Sequence, residues 1–374
     1  MRRFYISLCR TFYHFVARPF FFLFDAERVH ESVVSLGNLW GRSSFTRGAV
    51  RSTLCVSDAS LVQTINGVVF ENPIGLAAGF DYQAQLSSIL PSVGFGFATM
   101  GTITNVPCEG NDPPRLARLV RSRSLLVNKG FKNKGIRAVT ENLQGARFEI
   151  PIGLSIGKTN AREFMSQEKA VEDIAAAFKT AEQSSVPFGY YEINISCPNL
   201  IGNVNFYEPK YLEQLLKRIS ALGIKHPLWV KMPIEKSDEE TLAMLEVVSK
   251  YQIQAVIFGN LLKDRSDPSL IKEEVARFSK GNFSGKPTQQ RSNELIRLAY
   301  RRYAGRLMFV GCGGVFSAQD AYEKIRLGAS LVQLITGMIF EGPQLPAEIN
   351  LGLIGFLRRD GFGNISEAVG ADNK

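Results

Sequence analysis

The sequence predicts an α/β protein built as a (β/α)8 TIM barrel with an N-terminal helical extension. Beyond about residue 65, short apolar segments rich in Val, Ile and Phe alternate with longer segments of helical period, as in parallel β-α-β units. The apolar segments number eight, which is the count that closes a barrel. A chain of 374 residues accommodates such a barrel of roughly 250 residues together with additions.

Residues 1–50 form the predicted helical extension. Aromatic residues are frequent before position 25, acidic residues are absent there, and Arg10, His14 and Arg18 interrupt the apolar run. We therefore expect neither a membrane-spanning helix, which needs about 20 predominantly apolar residues, nor a cleaved secretory signal. Two interpretations stay open. The segment is either an amphipathic element at a membrane surface or a set of helices packed on the main domain.

Residues 51–374 form the predicted barrel. Two helices stand out by their apolar spacing, over 168–184 and 239–251. An open doubly wound sheet is the alternative, but it would usually place a GxGxxG turn after its first strand, where this chain reads Leu76-Ala77-Ala78-Gly79. The predicted strands are 73–77, 95–100, 151–156, 190–195, 227–232, 255–259, 307–311 and 331–335.

Composition narrows the functional classes. Hydrophobic residues make up 45% and charged residues 21% of the chain, which is typical of a globular protein and not of a disordered one. The five cysteines are odd in number and contain no CxxC pair, so we predict a reducing compartment, no disulfide scaffold and no metal site. The net charge of +9 suits an anionic partner, and the four arginines that lie among aromatic residues at positions 1–24 favour a membrane surface over nucleic acid.

Residues that follow the predicted strands are expected to form one site, because barrel enzymes build their active sites at the C-terminal strand ends. Small residues follow strand one, at 77–79. Glycines or a hydroxyl follow strands seven and eight, at Gly313, Gly314, Thr336 and Gly337. Bare backbone N–H groups in such turns bind phosphate, although each turn alone is an ordinary one. Together they favour a phosphorylated cofactor.

Two residues of this set point to chemistry. Lys231 lies in a predicted buried strand, where a lysine needs a negative partner, and a reduced flavin, an internal ion pair and a Schiff base are equally open. Cys197 lies between the amides of Asn194 and Asn199, beside Pro198. Alone it would be a small buried apolar residue, but its polar neighbours and its place at a strand end favour a general base.

The motifs resemble those of a known family, the class 2 dihydroorotate dehydrogenases, which are membrane-associated and quinone-dependent. The similarity extends over nearly the whole chain. The matching segments are FDAERVH at 24–30, GLAAGFD at 75–81, EGNDPPR at 109–115, NISCPN at 194–199, FSGKP at 283–287, GCGG at 311–314 and AVGAD at 368–372.

The resemblance implies oxidation of dihydroorotate to orotate with FMN as cofactor and quinone as electron acceptor, in pyrimidine biosynthesis. Cys197 would take the proton from C5 while hydride leaves C6. Asn128, Phe131, Asn199 and Asn260 would bind the substrate. The protein would be peripheral on the cytoplasmic face of the inner cell membrane, with the N-terminal helices as quinone entrance. Residues implied to contact FMN are Ala78, Gly79, Thr102, Ser155, Asn194, Lys231, Gly285, Gly314 and Thr336.

Several positions depart from the family pattern. The class 2 base is normally serine, whereas cysteine is typical of the soluble class 1 enzymes. Tyr82 occupies the place of a lysine, Ser155 that of an asparagine, and Leu261 that of a threonine. These changes leave two further hypotheses. The chain is a related FMN oxidoreductase acting on another pyrimidine-like compound, or a catalytically silent, membrane-bound scaffold.

Overall fold

A computed structural model describes residues 2–202 and 204–373 and shows a closed barrel of parallel strands. The strands follow one another around the barrel in chain order, and β8 pairs with β1 to close the ring. The predicted fold class and all the predicted strands are confirmed, although β2 continues to Ile103. The barrel strands are β1 (Ile74–Leu76), β2 (Phe97–Ile103), β3 (Ile152–Ile156), β4 (Tyr190–Asn194), β5 (Leu228–Lys231), β6 (Ala255–Phe258), β7 (Met308–Cys312) and β8 (Ala329–Leu334).

Four helical segments precede the barrel, and they are α1 (Arg2–Phe12), α2 (Arg18–Phe22), α3 (Ala26–Arg42) and α4 (Ser44–Leu54), with a π-helical turn at Tyr13–Ala17. Asp25 begins α3, because its carboxylate accepts from the N–H groups of Glu27 and Arg28. The extension is anchored on the barrel, since the Tyr13 hydroxyl donates to the Ile339 carbonyl at 2.7 Å. Within the described residues, no helix is long and apolar enough to cross a membrane.

The remaining helices surround the barrel. The helix predicted at 168–184 is α7, and the helix predicted at 239–251 is α9, so both predictions are confirmed to within two residues. Ser237 and Glu240 form a capping box that fixes the start of α9. The helices are α5 (Leu90–Val93), α6 (Ile136–Asn142), α7 (Gln167–Glu182), α8 (Pro209–Ser220), α9 (Asp238–Ser249), α10 (Lys272–Val275), α11 (Gln289–Tyr303), α12 (Ala318–Arg326), α13 (Thr336–Glu341), α14 (Leu345–Asp360) and α15 (Ile365–Ala368).

Aromatic rings fill the N-terminal end of the barrel. A hairpin of strands Gln63–Ile65 and Val68–Phe70 lies there and inserts the fully buried Phe70. Phe70 packs on Phe97 and Trp229, and Trp229 stacks on Tyr190 at 3.6 Å between ring centroids. Each large aromatic side chain removes about 150–250 Å² from water, so this end is a packed core.

A small antiparallel sheet borders the opposite, C-terminal end. Its strands are Leu116–Leu119, Ser124–Val127 and Asn282–Phe283, and they come from two excursions of the chain, after β2 and after β6. Leu116, Leu125 and Val127 of this sheet face a cavity that the barrel strands also line. The open end of the barrel is therefore covered on one side by added structure.

Candidate active site

A cleft lies at the C-terminal strand ends and is here called the mouth cavity. It contains about 860 Å³ of empty space, including the part that is open to solvent. The structure brings ten of the predicted site residues to this cleft from seven different segments. Those residues are Ala78, Gly79, Thr102, Phe131, Asn194, Cys197, Asn199, Lys231, Asn260 and Thr336.

A second hollow, here called the glycine cavity, adjoins the mouth cavity through Lys231, Asn260 and Thr336. Gly285 and Gly314 line it. Gly314 has a φ of +68°, and a Cβ there would lie 2.2 Å from the Gln289 Cβ. Side chains are excluded at this turn, so its backbone N–H groups can face a ligand closely. This geometry suits the phosphate group that was predicted from the glycines in the sequence.

Lys231 is a buried cation without a partner. Only 4% of the residue is exposed, and among the described residues its ammonium makes neither a hydrogen bond nor an ion pair. Its strand neighbour across the ladder is Asn194, another residue of the mouth cavity. A buried charge is costly unless it is paired. The internal ion pair considered for Lys231 is thus missing, and an anionic ligand is the compensation that the site requires.

A chain of hydrogen bonds runs down into the barrel from Asn194. Its amide donates to the Thr102 hydroxyl at 2.8 Å, Thr102 bonds to Ser155 at 2.9 Å, and Ser155 donates to Glu192 at 2.7 Å. Ser155 does not line either cavity, because it lies beneath Thr102. The other oxygen of the fully buried Glu192 has no hydrogen-bond partner within the described part of the chain. Ser155 would therefore act on a cofactor through Thr102.

Cys197 lies in the wall of the mouth cavity, and its strand end is held by hydrogen bonds. The Asn260 amide donates to the Ser196 hydroxyl at 2.7 Å, and Ser196 donates to Asn194 at 3.0 Å. Burial raises the pKa of the Cys197 thiol to about 12, against the lowering effect of the Asn199 backbone and of nearby lysines, Lys231 first among them. The thiol is protonated at neutral pH in the absence of ligands.

Amide side chains support the loop that ends in Asn199. Asn128 does not line the mouth cavity, and its oxygen accepts from the Asn111 amide at 3.0 Å. The same Asn111 amide donates to the Asn199 carbonyl at 2.9 Å. Asn282 also donates to the Asn199 side chain at 2.5 Å. In this geometry Asn128 supports the loop that ends in Asn199, through Asn111, whereas Asn199 and Phe131 face the cavity.

Three titratable residues that line the mouth cavity, His30, Tyr82 and Lys129, were not proposed as site residues from the sequence. His30 reaches the cavity from α3, and its Nε2 donates to the Phe80 carbonyl at 2.8 Å. Burial, aided by Lys129, lowers the pKa of His30 to about 4, so the ring is neutral. Tyr82 and Lys129 also line the cavity, and the Lys129 ammonium lies 4.9 Å from the centroid of the Tyr82 ring. The position of Lys129 between Asn128 and Phe131 was the available signal.

Comparison with known proteins agrees with the fold and site. The family model described as dihydroorotate dehydrogenase matches residues 60–357. The protein named dihydroorotate dehydrogenase (quinone) from Trichormus variabilis is 32% identical, over 97% of this chain and 99% of its own. The protein of the same name from Roseiflexus castenholzii is 35% identical, over 96% of this chain and 96% of its own.

Solved structures give the same result. The crystal structure of the Eimeria tenella enzyme, described as DHODH in complex with ferulenol, superposes with a TM-score of 0.81 at 26% identity. The superposition covers 94% of this chain and 96% of that one. The family match extends over most of the chain, and its residues include every strand of the barrel. The chain therefore belongs to the dihydroorotate dehydrogenase family.

Proposed function

We propose that this protein oxidises dihydroorotate to orotate with bound FMN and passes the electrons to quinone. One observation carries the proposal: a thiol, an unpaired buried lysine and several amides line one cavity at the C-terminal mouth of the barrel. The relatives named dihydroorotate dehydrogenase (quinone), which align over nearly their whole length, support the substrate and the acceptor.

The two cavities fit FMN. Lys231 supplies the positive charge that an anionic flavin or phosphate would neutralise, and the glycine cavity offers backbone N–H groups where side chains are excluded. When bound, FMN would accept the hydride that leaves dihydroorotate and deliver the electrons to quinone. The residues proposed to hold it are Ala78, Gly79, Thr102, Asn194, Lys231, Gly285, Gly314 and Thr336, with Ser155 acting through Thr102.

Cys197 is proposed as the base that removes the C5 proton. Asn199 and Asn260 present amide donors and acceptors to the pyrimidine, and the Phe131 ring provides an apolar face. The thiol must lose its proton before it can act, and Lys231 favours that loss by lowering the pKa of Cys197. Apolar side chains such as Leu261 and Ile335 exclude water beside these groups.

Purified FMN-loaded protein tests the proposal directly. We expect dihydroorotate to bleach the flavin absorption in the absence of air, and a soluble quinone analogue to restore it and sustain turnover. A protein that holds FMN but is not bleached by dihydroorotate would contradict the assignment.

A related oxidoreductase for another pyrimidine-like compound is the second candidate. It is favoured by Tyr82 and Leu261, which give the mouth cavity an aromatic and an apolar surface at two positions where the family pattern has polar residues. Bleaching by a different dihydropyrimidine from a tested panel, with none by dihydroorotate, would select this candidate.

The N-terminal helices are proposed to bind the cytoplasmic face of the inner cell membrane and to admit quinone. Phe15, Leu23 and Phe45 are 79%, 80% and 83% exposed, and arginines lie among them along the same helices. Large exposed apolar side chains beside basic ones are typical of an interfacial element.

Flotation with vesicles that contain anionic lipid tests this surface. We expect Phe15→Glu combined with Leu23→Glu to reduce the bound fraction severalfold. Val69→Glu is the matched control, because Val69 is also exposed but lies on the hairpin at the opposite end of the barrel. Equal flotation of all three proteins would contradict membrane binding through these helices.

A further inference from the structure

Lys129 is a second cation in the mouth cavity, and its surroundings differ from those of Lys231. We propose that Lys129 binds the carboxylate of the substrate and thereby selects an anionic pyrimidine. The inference rests on the proposed function and adds a specificity-determining residue to it.

The charges that line the two cavities are all positive. Lys129 and Lys231 are the lysines that the structure places in the wall of the mouth cavity, and no aspartate or glutamate within the described residues lines either cavity. Lys231 also lines the glycine cavity, where a phosphorylated cofactor would lie. Lys129 lines only the mouth cavity, where Cys197 and Asn199 also lie. The two cations thus serve two different anions.

The nearest carboxylate leaves Lys129 incompletely neutralised. Its ammonium lies 3.6 Å from the Glu27 carboxylate, whereas a charge-assisted hydrogen bond measures about 2.7–2.9 Å. Arg115 contacts the same Glu27 oxygen at 3.4 Å, so one carboxylate faces two cations. Lys129 is only 8% exposed, and water therefore supplies little of the missing compensation. A buried ammonium in this condition favours a further anion.

Tyr82 is another neighbour of the ammonium. The Lys129 nitrogen lies over the Tyr82 ring, 4.9 Å from its centroid, and 3.6 Å from the Glu27 carboxylate. An ammonium has three N–H donors, and no hydrogen bond to a described residue uses them at 3.5 Å or less. A donor is left for the cavity, where Tyr82 and Cys197 also lie.

Lys132 provides a matched control on the same loop. It pairs with Glu31 of α3 at 3.7 Å, much as Lys129 pairs with Glu27. Its side chain is 40% exposed, however, and it does not line the mouth cavity. Removing this charge changes the net charge and the contact between loop and helix in the same way, without changing the cavity.

The experiment measures how strongly FMN-loaded proteins bind orotate and its uncharged carboxamide analogue, from the change in flavin absorption. We expect Lys129→Met to weaken orotate about 30-fold, which is about 2 kcal/mol at 1.4 kcal/mol per tenfold, and to change the carboxamide by less than threefold. Lys129→Arg should restore most of the orotate affinity, and Lys132→Met should leave both ligands unchanged.

The outcomes separate this inference from the proposed function. If dihydroorotate bleaches the parent protein and Lys129→Met still binds orotate as the parent does, the inference is wrong and the function stands. Equal weakening of both ligands would mean that Lys129 shapes the loop and does not recognise the carboxylate. A parent protein that neither binds orotate nor is bleached by dihydroorotate would overturn both proposals.

Discussion

The two ends of the barrel interior differ in whether they contain buried charge. At the N-terminal end, Phe70, Phe97, Tyr190 and Trp229 form a cluster that contains no charged side chain. At the C-terminal end, Lys231 has no ion-pair partner among the residues that the structure describes. One end stabilises the protein by packing, and the other retains a buried positive charge that an anionic ligand can compensate. Substitutions at the two ends should therefore affect different measurements.

The largest effect is expected at Cys197. General bases contribute about 100- to 10,000-fold to rate, so Cys197→Ala should slow flavin reduction by dihydroorotate by a factor in that range. Stopped-flow absorption measures this rate, and thermal unfolding should be nearly unchanged because the residue faces a cavity. Cys55→Ala, in a cysteine remote from the cavity walls, is the control. Equal rates in Cys197→Ala and the parent would refute the base assignment.

The packed end is tested by Trp229→Ala. Removal of a buried aromatic ring that stacks on Tyr190 and contacts Phe70 and Phe97 should lower the free energy of unfolding by about 3–5 kcal/mol. Denaturant titration measures the loss. A change below about 1 kcal/mol would show that the aromatic cluster does not carry the stability assigned to it.

Lys231→Met should weaken ligand binding without lowering stability, which is the reverse of what is expected for Trp229→Ala. The variant should weaken FMN binding about 10- to 100-fold, the range expected for lost hydrogen bonds to a charged group. Without FMN it should be as stable as the parent or more so, because methionine removes a buried charge that pairs with none of the described residues. Fluorescence titration with FMN and unfolding of the FMN-free protein give the two values. A large stability loss without FMN would contradict the comparison between the two ends.

The pH dependence of the flavin reduction rate tests the protonation state of Cys197. Because burial raises the pKa of Cys197 to about 12, the thiolate fraction grows about tenfold per pH unit at all lower pH values. The flavin reduction rate should rise with the same slope between pH 6 and 9, in the range where the protein stays folded. A rate that is flat over this range would mean that ligands lower the thiol pKa below 6 or that another group is the base.

The periodicity of the apolar residues was sufficient to predict the barrel strands, but not the direction of every side chain or the contribution of α3 to the site. The eight strands are apolar runs bounded by turns, and their ends collect Cys197, Lys231 and Asn260 without further information. Asn128 and Ser155 were expected to contact ligands, yet the structure places them behind Asn111 and Thr102, because side-chain direction is not encoded in spacing. His30 was missed since α3 lies outside the barrel repeat, and only the folded chain brings it to the cavity.

The hydrogen bond from His30 to Phe80 has a practical consequence for preparing this protein without detergent. A chain shortened to begin near residue 24 would lose the exposed aromatic surface of α1 and α2 and would keep Asp25 to start α3. A chain shortened by seven residues more would also lose Glu27 and His30, which contact Lys129 and the turn after β1. The first truncation should yield a water-soluble protein whose flavin is still reduced by the substrate. The second would damage the proposed pyrimidine pocket.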